Sequence, residues 1–341
     1  MKRLWLLPLA VIVAILPFVA GESYLFSFFI LVGTLAIACM GLDLAFGYGG
    51  QLSLGHGAFM SIGAYGSAIL TTRYGVPPLA AMAAAAVLTA VIATGIGIPI
   101  LGLLSHFQLA IATLAFGVLV FSYLVVGGEF TGGYSGIFYI PPFSIGGLTF
   151  DTELKTYYLV WGFVFLLLIL GLNLAGSQSG RAMKALRDDE LAAAVMGTNV
   201  TRYKIKVFAL SAVYSSMAGS LMVHHLKYVT PTLFDVVLSF DLVTMVVLGG
   251  KATLVGGIFG AAFLKLLPQF TEFFKDYRLL SNGILLVLLL IFFPGGIMAM
   301  VSIVYRRLSE RLVRVRGAGR AAGELRKAPQ VELSTAVDDD T

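Results

Sequence analysis

The chain has 341 residues, of which 58% are hydrophobic and only 12% charged, with a formal net charge of +5 and a mean hydropathy of +0.93. That usage excludes an ordinary soluble globular domain, where about 25% of residues are charged, and it describes a polytopic membrane protein. The single cysteine, Cys39, lies in an apolar run, which excludes an intrachain disulfide and a thiolate metal site.

A helix needs about 20 predominantly apolar residues to span a bilayer. Runs approaching that length lie at 4–20, 25–46, 52–70, 79–101, 107–126, 157–174, 207–226 and 280–304. The stretch 236–267 is too long for one helix and is interrupted by Gly249, Gly250 and Lys251, so it reads as two short helices meeting at a turn. The predicted fold is therefore an all-α polytopic membrane protein with about ten transmembrane helices, two of them short or broken. The first run follows Met-Lys-Arg and ends Phe-Val-Ala-Gly, a pattern that a cleaved secretory signal also shows. It is read here as an uncleaved first helix, because later spans carry their own topogenic charge.

Orientation follows from Lys and Arg, which are retained on the cytoplasmic side. With both termini cytoplasmic, all but six of the 23 basic residues fall inside, and the six (Arg73, Lys155, Lys227, Lys265, Lys275, Arg278) fall at or near the outer face. The expected organisation is a transmembrane domain over 1–305 and a cytoplasmic basic tail over 306–341 whose end is disordered. Within the first lie a cytoplasmic loop at 177–206 and an external loop at 127–156. The start of the tail, Y-R-R-L-S-E-R-L-V-R-V-R, suits the surface of anionic membrane lipid as well as a simple topology signal.

Polar residues inside apolar runs narrow the function. Gln51, Ser53, His56, Ser61 and Tyr65 lie in or beside one predicted helix, where an unpaired polar group costs about 1–3 kcal/mol. They are candidates for a translocation path or for interhelical hydrogen bonds. Asp43, a carboxyl group near the cytoplasmic end of the second run, suits either a hydrogen-bonded role or proton coupling. The segments G-G-Q-L-S-L-G-H-G-A-F (49–59) and G-G-K-A-T-L-V-G-G-I-F (249–259) echo one another, as internal repeats of transporters do. His224 and His225 diverge on a helix, and His56 and His106 lack paired acidic or thiol partners, so no metal site is expected. G-G-K-A-T lacks the upstream glycine and following hydroxyl of a phosphate loop, so the chain is not expected to hydrolyse ATP or to be an enzyme.

The charged island 177–206 is the feature around which function turns. Arg181 to Met196 favours one short amphipathic helix, with Met183, Leu186, Leu191 and Val195 as its apolar face, stopped by Gly197-Thr198-Asn199. Such a helix fits a groove on a soluble partner, whereas a helix lying on lipid would carry fewer acids than Asp188-Asp189-Glu190.

Three motifs in order, G-L-D-L-A-F-G-Y-G-G-Q-L-S-L-G-H-G-A-F-M-S-I-G-A-Y, the island from Gly180, and M-V-V-L-G-G-K-A-T-L-V-G-G-I-F-G-A, resemble the permease subunits of bacterial branched-chain amino acid ABC importers, a family that includes urea permeases. The resemblance runs from about residue 31 to 296. It implies a permease of the bacterial inner membrane working by alternating access. It also implies a homologous second permease, two cytoplasmic ATP-binding subunits and an external solute-binding protein as partners. No cofactor of its own and no nucleic-acid partner are expected, since ATP is bound by the partner subunits. The island then corresponds to the ATPase-coupling helix, with Gly180, Arg181, Ala185, Arg187, Glu190 and Gly197 matching the family pattern. Where relatives commonly read G-L-N-L, this chain has Asp43. The resemblance does not fix the solute: a branched-chain amino acid is expected and urea is the alternative. A proton-coupled transporter using Asp43 is the alternative of another class.

Overall fold

The computed structural model describes residues 23–102 and 106–270 continuously, with positions 10–11, 13–17, 280, 283–284, 287–288, 296 and 298 besides. The chain divides into two units, Met1–Met298 and Ala299–Thr341. The second unit, and with it the predicted basic tail, lies outside the described residues, as do most of the predicted runs 4–20 and 280–304.

Among the described residues the helices are α1 (Ser23–Asp43, continued by a π-helical turn at Leu44–Tyr48), α2 (His56–Tyr74), α3 (Pro78–Leu101), α4 (His106–Val126), α5 (Gly128–Thr131), α6 (Glu153–Gly176), α7 (Gln178–Asp188), α8 (Glu190–Val195), α9 (Val200–Leu226), α10 (Val236–Gly249) and α11 (Gly256–Phe270). Among the described residues, six stretches are long and apolar enough to cross a membrane: Leu25–Tyr48, Pro78–Leu101, Phe107–Val126, Glu153–Gly176, Val200–Leu226 and Pro231–Gly249. The expected pair of short helices around 250 is α10 and α11, joined by a turn. The predicted span 52–70 becomes α2, displaced toward the C-terminus because residues 50–55 form a loop and not a helical turn.

Local chemistry sets the boundaries. Pro78 opens α3 at its first turn, where its missing N–H is not needed, and Gly75 closes α2 in the left-handed conformation at φ 64°. Thr152, Ser177, Asp189, Asn199 and Asp235 each cap a helix by accepting a hydrogen bond from a backbone N–H of its first turn.

At the centre, α9 packs against α1, α2 and α3. The α2–α9 seam is closed by small residues. A side chain at Gly63 would overlap the backbone of Ser216, and one at Gly219 the carbonyl of Met60. Ser220 Oγ donates to the carbonyl of Gly63 at 2.9 Å. This is the close backbone approach that membrane helices use where lipid removes any hydrophobic drive to associate.

Two short ladders lie at one end of the bundle. β1 (Ile137–Phe138) pairs antiparallel with β4 (Tyr228–Val229). β2 (Ser144–Ile145) pairs with β3 (Leu148–Thr149) across Gly146-Gly147, both at positive φ. His224 of α9 ties this end together: its Nδ1 donates to the carbonyl of Pro141 at 2.8 Å. Its Nε2 therefore accepts from Ser67 Oγ of α2, also at 2.8 Å. At the start of α6, Lys155 Nζ donates to Asp151 at 3.0 Å and holds that carboxyl group below the usual carboxylate range.

Candidate functional site

The opposite end of the bundle gathers the π-helical turn, the island and the 250–255 turn. The island is two helices where the sequence suggests one. The chain breaks at Asp189 (φ −159°, ψ 112°), whose carboxyl group accepts from the N–H groups of Leu191 and Ala192 at 2.9 and 3.0 Å. Aspartate competes with helix continuation by offering this local bond, and the adjacent acids of 188–190 disguised it as a solvated face.

The break gives the island two apolar surfaces. Met183 and Leu186 of α7 are buried in the bundle, whereas Leu191, Val195 and Met196 beyond the break are 81%, 86% and 84% exposed. Of the residues singled out from the sequence, Gly180 lies where a side chain would strike the carbonyls of Leu174 and Ala175, so α7 turns tightly off α6. Arg181 and Ala185 are exposed. Gly197 ends α8 at φ 84°, with open space beside it. Glu190 meets Lys204 at 2.6 Å, an ion pair in which the lysine side chain is only 11% exposed, so α8 is tied to the start of α9.

Arg187 is exposed but reaches back to the π-helical turn. Its Nη1 donates to the carbonyl of Gly47 at 2.9 Å, while Nε and Nη2 hold Asp188 Oδ1 at 3.0 and 2.9 Å. Lys184, one turn back, lies 5.3 Å from the centre of the Tyr48 ring. The island thus rests on the π-helical turn, a rare form that often marks functional positions.

That turn is in turn tied to the 250–255 turn by Asp43. Its Oδ1 accepts from Ala252 N–H at 2.7 Å and its Oδ2 from Leu254 N–H at 2.8 Å, and the side chain is 1% exposed. Lys251 adds a cation 4.5 Å from the centre of the Phe46 ring. The echoing segments share two backbone features, although Ala252 and Leu254 have positive φ and their counterparts Leu52 and Leu54 do not. Gly50 and Gly250 both have positive φ, and helices start at His56 and Gly256. The N–H of Leu54 is capped by Thr113 Oγ1 at 3.0 Å, as that of Leu254 is by Asp43. Sequence reading raised a hydrogen-bonded Asp43 but missed its partners. The paired glycines were the available signal, since a turn with positive φ frees N–H groups that something must satisfy.

Gln51, Ser53, His56, Ser61 and Tyr65 are all buried. Ser53 lies before α2 and not on it, bonded to the Gly55 N–H and to His56 Nδ1 at 3.3 and 3.1 Å. Ser61 satisfies its hydroxyl within its own helix, on Ala58 O at 2.8 Å. Gln51 donates to Lys204 O at 3.2 Å. Gln51 Oε1, His56 Nε2 and the Tyr65 hydroxyl have no partner among the described residues, as is also true of Glu153 Oε2, Trp161 Nε1 and Ser215 Oγ, and each such buried atom calls for an explanation. Among the described residues no cluster of three or more His, Cys, Asp or Glu side chains suits a metal ion.

A family model described as "Branched-chain amino acid transport system / permease component" matches residues 24–293. The chain is 31% identical over 327 residues to the high-affinity branched-chain amino acid transport system permease protein LivM of Salmonella typhimurium and to its namesake in Escherichia coli, covering 88% of this chain and 75% of each relative. It is 26% identical over 142 residues to the permease protein LivH of Escherichia coli, 41% of this chain and 46% of that one. Among solved structures, PsaBC from Streptococcus pneumoniae in complex with Fab matches 81% of the chain at 17% identity and a TM-score of 0.40, too loose a likeness to bear on the fold.

Proposed function

The chain belongs to the family of branched-chain amino acid transport permease components, and from that membership we propose that it is the membrane-spanning subunit of an ATP-driven importer for branched-chain amino acids. It pairs with a homologous permease in the bacterial inner membrane, and the island end faces the cytoplasm. Two ATP-binding subunits dock there, an external solute-binding protein delivers solute at the ladder end, and the chain itself carries no cofactor and catalyses no reaction.

The observation that carries this reading is the split island. α7 buries its apolar residues in the bundle while α8 and its end present Leu191, Val195 and Met196 to the outside. Exposed apolar groups beside charged ones, held on a short rigid helix, are what a soluble partner's groove accepts. A push on α8 passes through the Glu190–Lys204 pair into α9, and a push on α7 through Arg187 into the turn at Gly47. In the proposed cycle, ATP closes the partner subunits, these contacts carry the motion into the membrane helices, and the path opens alternately to each side. The unmet polar atoms of Gln51 and His56 support a path wall, where water or solute would satisfy them, whereas Tyr65 borders the apolar groove between α2, α3 and α4. Proton coupling finds less support, because both oxygens of Asp43 already accept backbone N–H groups.

The test is an Arg187→Ala, Glu190→Ala double substitution in the assembled transporter. Uptake should fall at least tenfold while ATP hydrolysis and membrane insertion persist. Uptake at the unsubstituted rate would remove the coupling role.

A further inference from the structure

A groove between α2, α3 and α4 encloses about 520 Å3 and is walled almost wholly by apolar side chains, Ile62 and Ile69 from α2, Leu88 and Ile92 from α3, Leu119 and Val120 from α4. Leu88 and Leu119 are nonetheless 50% and 64% exposed. The groove is therefore open along its length to whatever surrounds these spanning helices. It follows α2 from Ile62 to Tyr74, which is about 18 Å at a rise of roughly 1.5 Å per residue. Half of a hydrocarbon core of about 30 Å is roughly 15 Å, so the groove is as long as one leaflet is deep.

Its end at Tyr74 is polar in a particular way. Arg73 is exposed there, its guanidinium carbon 5.7 Å from the centre of the Phe130 ring, which lines the groove mouth. One Nη donates to the carbonyl of Glu129. No other hydrogen bond of Arg73 occurs among the described residues, and a guanidinium has five N–H donors. The fork of remaining donors matches a phosphate diester.

We propose that this groove binds one acyl chain of an anionic glycerophospholipid, whose phosphate rests on Arg73. Length and charge together select this occupant. A free amino acid is much shorter than the groove, and its ammonium would find apolar walls. A lipid of the surrounding leaflet supplies a long apolar tail and a phosphate at the depth where Arg73 lies. The inference needs only that these helices span a membrane and is independent of what the protein carries.

The experiment uses the full chain, purified in mild detergent and stripped of lipid, then titrated with phosphatidylglycerol and read by native mass spectrometry. One lipid per chain is expected to be retained. Arg73→Gln should weaken retention roughly tenfold and Arg73→Lys restore part of it. Ala84→Trp, at an exposed position lining the groove, should abolish it with an unchanged size-exclusion profile. Equal retention by all variants would overturn the proposal, as would displacement of the lipid by inorganic phosphate alone. So would cross-linking of Leu119→Cys to another polypeptide in native membranes, which would put a protein in the groove.

Discussion

Replacing Asp43 by Asn separates a structural from a coupling role with a change of one atom. In the native arrangement the two carboxyl oxygens receive the N–H groups of Ala252 and Leu254 at 2.7 and 2.8 Å, in a place where the side chain is 1% exposed and water is not a substitute. Asparagine keeps one acceptor but turns an NH2 group toward the second N–H, leaving a buried donor unpaired at a cost of about 1–3 kcal/mol. Asp43→Ala strands both donors, about 2–6 kcal/mol by the same measure. Thermal unfolding of the detergent-purified chain, followed by loss of the monodisperse size-exclusion peak, should show Tm falling in the order wild type, Asn, Ala. Uptake by the Asn variant should persist at temperatures well below its Tm. If Asp43→Asn left Tm unchanged and abolished uptake, the carboxyl group would be a proton carrier and the capping argument would be refuted.

Other substitutions probe separate contacts. Leu191→Ser with Met196→Ser, both highly exposed, should leave the stability of the isolated chain within about 0.5 kcal/mol yet abolish co-purification of the ATP-binding subunits. Retention of those subunits would move the docking surface elsewhere. Gly219→Val should destabilise by about 1–3 kcal/mol or more, because the new side chain meets the carbonyl of Met60, and poor recovery of folded chain is its readout. Ser67→Ala removes the donor to His224 Nε2 and should cost about 0.5–1.5 kcal/mol, whereas Ser67→Thr keeps the hydroxyl and should recover most of that loss in the same unfolding assay.

How far the sequence could be read depended on what each residue had to answer to. The long runs of α1, α3, α4, α6 and α9 were legible because lipid demands a continuous apolar stretch whose backbone bonds are satisfied internally. So was the pair α10 and α11, from the glycines that interrupt it. The break at Asp189 was not, since an aspartate among acids looks like solvent-facing charge until its carboxyl group is seen capping Leu191 and Ala192. The contact of Arg187 with Gly47 spans 140 residues, and no local pattern announces a partner that distant. Gly63 and Gly219 read only as two of 39 glycines. Their meaning lies in facing another backbone, which depends on the register between two helices.

The seam those glycines form restricts how the molecule can move. With Gly63 laid on Ser216 and Gly219 on Met60, α2 and α9 meet main chain to main chain, without long side chains between them to swivel through alternative rotamers. Neither helix can roll about its own axis without lifting a carbonyl from its neighbour, so the two travel as one plate. The displacement that the proposed transport cycle requires would then fall at other helix contacts, such as those of α4, whose Phe107, Ile111, Val118 and Val126 are left exposed.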